Sequence, residues 1–395
     1  MSRLIPPRLR SILFVSFFYA FHVATTAYSN SSFLKNVFGL PDESLALLYT
    51  VGSLIALVGI FVIPTFLKKK SVRSVFASVV LIAIASLAGL VIFRDPLLAM
   101  VLFPLYLATN SIMIYLNDFF VSHYSTPQNT GRIRSIYLTI MNIAWVTAPL
   151  LAGILADSTW GYVAVYGLAF AMLVMSTIIA FLSYESFVAK SREISDQKTS
   201  WLKEVKNFFR TTSLRRIFMT NGLLQTFYAI MVIFSPLYLH QTIGLSYTHI
   251  GFILAIMLLA FPIFQIPAGY IADKYFGEKE ILASGLIIMG SAAFVFATTS
   301  SPDWWVWAII LFISRIGASL VEIMNETYFF KHVDESNGSY ISIFRSAYPL
   351  AYSIAPLLIS ILITQFGVDY RVLFMLLALL VTIGAIPALM LEDTK

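Results

Sequence analysis

The chain has 395 residues, of which 59% are hydrophobic and only 12% charged, where a soluble domain carries roughly a quarter charged. It has a net charge of +6 and no cysteine, so disulfides and thiolate catalysis are excluded. A mean hydropathy of +0.84 makes lipid the expected solvent, and the continuous rather than alternating apolar runs exclude a β-barrel.

A hydrocarbon core of about 30 Å calls for roughly 20 apolar residues per span. Such runs follow at 11–29, 45–67, 75–93, 97–122, 135–156 and 161–184, then at 214–239, 248–271, 280–299, 304–330, 339–365 and 370–391. Arg3, Arg8 and Arg10 precede the first run without a small-residue cleavage site, so that run reads as an uncleaved helix rather than a signal peptide. The polar interruption from Glu185 to Arg216 splits the twelve spans into sixes. The expected organisation is an all-α membrane protein of two six-helix bundles, 1–184 and 214–395, joined by a cytoplasmic linker over 185–213. Within that linker, Trp201 to Phe209 has the pattern of a short amphipathic helix at the membrane surface.

Basic residues fix the orientation, because positively charged loops stay cytoplasmic. With the N-terminus inside, twenty-one Lys and Arg fall on inner segments, against only Lys35, Arg94 and Arg371 outside. Both termini are therefore expected in the cytoplasm, in a multi-pass protein of the plasma membrane. The same distribution explains the basic character without any nucleic-acid partner.

The halves resemble each other. Gly131 stands eighteen residues before the proline of Ala148-Pro149-Leu150-Leu151, and Gly338 stands eighteen before the proline of Ala355-Pro356-Leu357-Leu358. The pairs Asn117-Asp118 and Asn325-Glu326 precede them at nearly matching distances. Equivalent positions in the same orientation point to a parallel repeat of a six-helix unit.

After the eighth span the sequence reads Gly269-Tyr270-Ile271-Ala272-Asp273-Lys274-Tyr275-Phe276-Gly277-Glu278-Lys279. Here Gly269 is expected to permit close helix packing, Asp273 to meet a positive helix N-terminus, and Gly277 to permit a tight turn. This loop resembles the signature of the major facilitator superfamily. It departs from that signature by one extra residue between Asp273 and Gly277 and by Glu278 in place of a base. The resemblance implies the two-bundle transporter fold, a central cavity between the bundles, and a lock in which Asp273 meets the start of the fifth helix near Arg132 and Arg134. The arginine that many members carry in the fourth helix is absent, since Ala108 to Ser111 offers only Thr109 and Asn110.

Ionisable groups inside a span cost roughly 2.5 to 3.5 kcal/mol each. In the tenth span Arg315, Ser319, Glu322 and Glu326 are spaced four, three and four apart, which puts them on one helical face that must avoid lipid. Arg345, six residues into the eleventh span, returns to the level of Glu322 and Glu326, so an ion pair between neighbouring helices is expected there, with gating or proton coupling as the alternative. Arg315, near the bilayer midplane, has no acidic residue at its depth and is the candidate for binding an anionic group. His22 and Thr26 in the first span, and Asn221, Gln225 and Tyr228 in the seventh, form further polar stripes. The resemblance adds Asn110, Asn142, Tyr348 and Tyr352 as cavity-lining residues, with Asp118, Gly269, Asp273, Gly277, Arg132 and Arg134 in coupling or gating. Asn30-Ser31-Ser32 fits the glycosylation pattern but sits at a helix end and reads as chance.

There is no Walker loop, no metal-spaced histidine cluster and no nucleophile elbow, so no cofactor, metal or enzymatic activity is expected. The expected function is a secondary transporter of a small-molecule substrate working by alternating access, driven by protons, another ion or the substrate's own gradient. A multidrug or lipid exporter on the same fold is the alternative; a membrane sensor or scaffold is the alternative of another class. A monomer in the lipid bilayer is the expected state.

Overall fold

The computed structural model describes residues 7–69, 72–123, 130–183, 201–333 and 338–392. These residues are helical with no strand among them, as a bilayer requires: with no water to bond the backbone, each span must satisfy its own N–H and C=O groups. Eleven spans pass the length and hydropathy requirements, and the pair Arg10–Ala27 with Asn30–Phe38, bent by 54°, makes a twelfth.

The residues form two compact units, Met1–Ser195 with Ser246–Gly251, and Asp196–Leu245 with Phe252–Lys395. In the first lie α1 (Pro7–Ala27), α2 (Asn30–Phe38), α3 (Asp42–Lys69), α4 (Val72–Ile92), α5 (Pro96–His123), α6 (Thr130–Ala156) and α7 (Gly161–Leu182). One core cluster forms where α1 meets α6: Ala20, Phe21 and Ala24 pack on Ala144 and Ala148, the alanines letting the two helices approach closely.

The second unit contains α8 (Trp201–Arg210), α9 (Thr212–Gln241), most of α10 (Tyr247–Leu258), α11 (Ala260–Ile271), α12 (Glu278–Thr298), α13 (Trp304–His332), α14 (Gly338–Arg345), α15 (Ala347–Phe366), α16 (Tyr370–Ile383) and α17 (Ala385–Leu389). The amphipathic α8 forms where its sequence pattern places it, with Phe208 buried against Phe218 and Tyr340. At the other end of the unit, Tyr238, Phe296, Trp307 and Phe374 form an edge-to-face cluster with centroids 4.9 to 6.0 Å apart. Arg371 donates to the Tyr238 hydroxyl (3.2 Å) and to Ser300 (3.0 Å) there.

Several spans that read as continuous in sequence are broken. In the second unit the breaks fall at Leu259, Ser346 and Gly384. Each follows the residue four before a proline, namely Pro262, Pro349 and Pro387. A proline has no N–H for that carbonyl, and its ring collides with it. The bend between α1 and α2 has no proline; there Ser29 N–H turns back to the Thr26 carbonyl (2.9 Å).

The axis of the second unit is the crossing of α12 and α13. A Cβ built on Gly285 would stand 2.8 Å from the Gly317 carbonyl oxygen, and one on Gly317 only 2.6 Å from that of Gly285. Backbone atoms stand in both spaces beside the Val321 and Met289 side chains, and the backbone cannot yield as a flexible side chain would. Gly317→Leu is therefore expected to lower the melting temperature of the purified protein by the equivalent of about 1–3 kcal/mol or more. An unchanged melting temperature would contradict the close crossing.

Candidate functional site

The polar residues of the first unit turn inward on one another. His22 is fully buried, and its Nδ1 lies 2.9 Å from the Ala169 carbonyl. A carbonyl only accepts, so Nδ1 carries a proton. With the ring neutral, Nε2 then accepts from the Tyr106 hydroxyl at 3.2 Å, while Thr26 meets the same hydroxyl at 2.8 Å. Beside this chain the Tyr19 hydroxyl donates to Asn110 (3.0 Å), and Tyr166 donates to Asn30 (2.6 Å). As placed, His22, Thr26 and Asn110 join α1, α5 and α7 inside the bundle rather than lining an open surface. The physical reason is Tyr106, whose hydroxyl reaches both His22 and Thr26, and no periodicity on α1 announces it. Asn30 is 3% exposed, so no glycan can be carried there.

The second unit differs, because its charges lie in the span itself. On α13 Arg315 is 2% exposed, the one buried Arg or Lys among the described residues. Its guanidinium carbon lies 5.4 Å from the Phe227 ring centroid and 5.1 Å from that of Tyr228, both on α9. The Nε and Nη1 atoms have no hydrogen-bond partner. Two cation–π contacts compensate the charge only in part, at ~0.5–2 kcal/mol each. The Tyr228 hydroxyl then turns to the Glu322 carboxylate, 2.9 Å away.

The remaining charges on this face are paired. Glu326 forms a two-pronged ion pair with Arg345, with Nη2 to Oε2 at 2.9 Å. Both partners are substantially exposed, Arg345 at 45% and Glu326 at 29%. Such a pair is worth about 0–1 kcal/mol, a clasp between α13 and α14 rather than a rigid strut. Around it, Thr220 donates to Asn325 (2.7 Å), Asn221 to the Phe344 carbonyl (3.3 Å), and Gln225 to Asn221 (3.3 Å). Tyr348 and Tyr352 pack ring on ring at 4.6 Å, Tyr348 exposed and Tyr352 buried. In the first unit Asn142 on α6 is half-buried.

The Major Facilitator Superfamily sequence model matches residues 12–249 and again 217–395. The chain belongs to the Major Facilitator Superfamily. No curated protein matches it by sequence. Among solved structures, a mutant of the nucleoside transporter NupG superposes with a TM-score of 0.78 at 13% identity, over 98% of this chain and 100% of that one. An auto-inhibited POT family peptide transporter gives 0.75 at 12%, over 99% and 98%. A bacterial homologue of the human lysosomal transporter Spinster, inward-facing and occupied, gives 0.73 at 13%, over 97% and 95%. At these identities the likeness is one of fold.

The superfamily loop explains its own departures. Its extra residue is absorbed as a π-helical turn over Ala272–Phe276, closed by the Gly277 N–H on the Ala272 carbonyl (3.0 Å). An inserted residue in a helix commonly takes this form. Gly277 has φ +97°, the left-handed region a glycine tolerates. Glu278, in the first turn of α12, is buried and pairs with Lys331 at the end of α13, which is why an acid stands where a base was expected. At Gly269 a Cβ would meet nothing within 4 Å among the described residues, so the close helix packing expected of it is not seen there. The side chains of Asp118, Arg132, Arg134 and Asp273 lie outside the described residues.

Tyr106→Phe is expected to destabilise this superfamily member by about 1–3 kcal/mol, because it leaves the buried His22 Nε2 and Thr26 hydroxyl without their shared partner. Chemical unfolding of the purified variant measures this. A loss below about 0.5 kcal/mol would show that the network does not hold α1 to α5.

Proposed function

We propose that this chain is a secondary active transporter that moves a small solute with an anionic group across the plasma membrane, its Arg315 guanidinium holding that group. The observation that carries the reading is the buried Arg315 side chain with Nε and Nη1 unpartnered. An ionised group in a span is kept only for a reason, and structural arginines normally saturate their donors. Superfamily membership supports gradient-driven alternating access, in which the Arg315 face opens to each side of the membrane in turn.

The other polar residues take graded roles in this proposal. Gln225, Asn221 and Tyr228 on α9, and Tyr348 and Tyr352 on α15, supply hydrogen bonds or ring surface to the uncharged part of the solute. The exposed Glu326–Arg345 pair serves as a clasp that breaks and re-forms as the proline-broken eleventh span moves. The excess of basic residues on inner segments supports a cytoplasmic location for both termini in this reading. A neutral drug or lipid would leave the guanidinium uncompensated, so the anion is the favoured cargo.

The test is a thermal-shift panel of small metabolites on the purified protein, repeated with Arg315→Gln. A ligand that binds only the folded state raises the melting temperature. At least one anionic compound is expected to do so, with Arg315→Gln weakening it roughly 10–100-fold, the worth of a charge-assisted hydrogen-bond pair. Shifts produced only by uncharged compounds, or unaltered in the variant, would overturn the assignment.

A further inference from the structure

Helix α8 has an outer face that the rest of its unit does not cover. Its inner face is anchored: Phe208 is buried, with ring centroids 6.1 Å from Phe218 of α9 and 5.4 Å from Tyr340 of α14. Glu204, one turn before Phe208 and so on the same side, is half-buried. The other side carries Lys203, Lys206 and Arg210, whose spacings of three and four put them in one row, and all three are exposed. None of them makes an ion pair among the described residues. One position round the helix from this basic row runs an apolar one of Leu202, Val205 and Phe209, and Leu202 at its head is 77% exposed.

The place of α8 in the chain decides what such a face meets. The helix ends at Arg210, and after the single extended residue Thr211 (φ −75°, ψ 114°) the chain enters α9, a membrane span. One residue advances the chain by about 3.8 Å, so α8 stays at the level where α9 leaves the lipid. We infer that the outer face of α8 is a binding surface for anionic phospholipids, with Lys203, Lys206 and Arg210 on the headgroup phosphates and Leu202 in the acyl boundary. A lipid held there steadies α14 through the contact of Phe208 with Tyr340. Each Lys or Arg near an anionic leaflet strengthens the attraction about fivefold, and an apolar row beside a basic one is the pattern of a helix lying in the interface. An acidic protein segment would match the basic row but leave Leu202 in water. Helix α14 ends in Arg345, the partner of Glu326, so the composition of the leaflet reaches that clasp from outside the bundle. The surface shares no residue with the solute site and does not depend on the Arg315 assignment.

The chain has no cysteine, so Leu202→Cys carrying an environment-sensitive fluorophore puts a single reporter on the apolar row. The labelled full-length protein is read in nanodiscs of phosphatidylcholine alone and of phosphatidylcholine with phosphatidylglycerol, each with a trace of spin-labelled lipid as quencher. Phosphatidylglycerol is expected to raise the quenching at least twofold, and high salt to reverse most of the rise, because exposed charges are screened. Replacing Lys203, Lys206 and Arg210 together by Gln should remove the response, whereas Lys274→Gln, at an exposed lysine outside α8, should keep it. Hydrogen exchange of the unlabelled protein reads the second half of the inference. Phosphatidylglycerol should slow amide exchange over 338–345 threefold or more, and Phe208→Ala should remove that slowing. If quenching ignores phosphatidylglycerol, or responds equally without the three charges, the lipid surface is wrong. If soluble polyglutamate shifts the emission and phosphatidylglycerol does not, the occupant is an acidic protein segment and the inference falls. If quenching responds but exchange over 338–345 does not, the link to α14 is overturned.

Discussion

Charge in hydrocarbon is the constraint that organises this protein. A span can satisfy its backbone by coiling into a helix, but an ionised side chain must find a partner inside the bundle or remain a standing penalty of roughly 2.5 to 3.5 kcal/mol. Among its described side chains the first unit avoids the problem. Its buried network of Tyr19, His22, Thr26, Tyr106 and Asn110 can be satisfied by neutral groups alone. The second unit accepts the problem: Glu278 is matched by Lys331 and Glu326 by Arg345, while Arg315 lies against the Phe227 and Tyr228 rings with Nε and Nη1 lacking a hydrogen-bond partner. Two bundles that read as copies in sequence thus divide the work, one as a bonded scaffold and one bearing unpaired charge.

Backbone irregularity in the second unit serves the same end. Prolines at 262, 349 and 387 break spans without removing them from the membrane, and the break at Ser346 lies immediately after Arg345. The clasp with Glu326 therefore sits at a joint. Its neighbours tie the joint to the rest of the unit: Asn221 bonds the Phe344 carbonyl, Phe344 stacks on Phe329 at 4.1 Å, and α8 sets Phe208 against Tyr340 of α14. A helix on the chain's polar linker is thereby in contact with the segment that carries Arg345.

Hydropathy alone made the spans legible, since lipid demands a length and a composition that soluble helices need not show. The shared face of Arg315, Glu322 and Glu326 was equally legible, because spacings of three and four are local consequences of helix geometry. What stayed hidden depends on partners far along the chain. Tyr106 is 84 residues from His22, Glu278 is 53 from Lys331, and Phe227 lies on a different helix from the arginine it faces. The packing expected of Gly269 is hidden for a related reason: it is a property of whatever lies opposite the glycine, and among the described residues nothing stands within 4 Å of a Cβ there. Proline marks every break in the second unit, yet Pro104, Pro149, Pro236 and Pro356 sit within unbroken helices, so the residue type alone does not say which spans divide.

The central claim is that Arg315 is kept for a ligand and not for the fold. The most direct measurement is the melting temperature of ligand-free Arg315→Met against the unmodified protein in the same detergent. Methionine fills a similar volume beside Phe227 and Tyr228 without the charge. If the guanidinium is uncompensated, the variant melts at the same temperature or higher, since losing contacts of about 0.5–2 kcal/mol each is offset by removing a penalty of roughly 2.5 to 3.5 kcal/mol. A variant that melts clearly lower would mean that Arg315 holds the bundle together, and the account of it as a binding residue would fail.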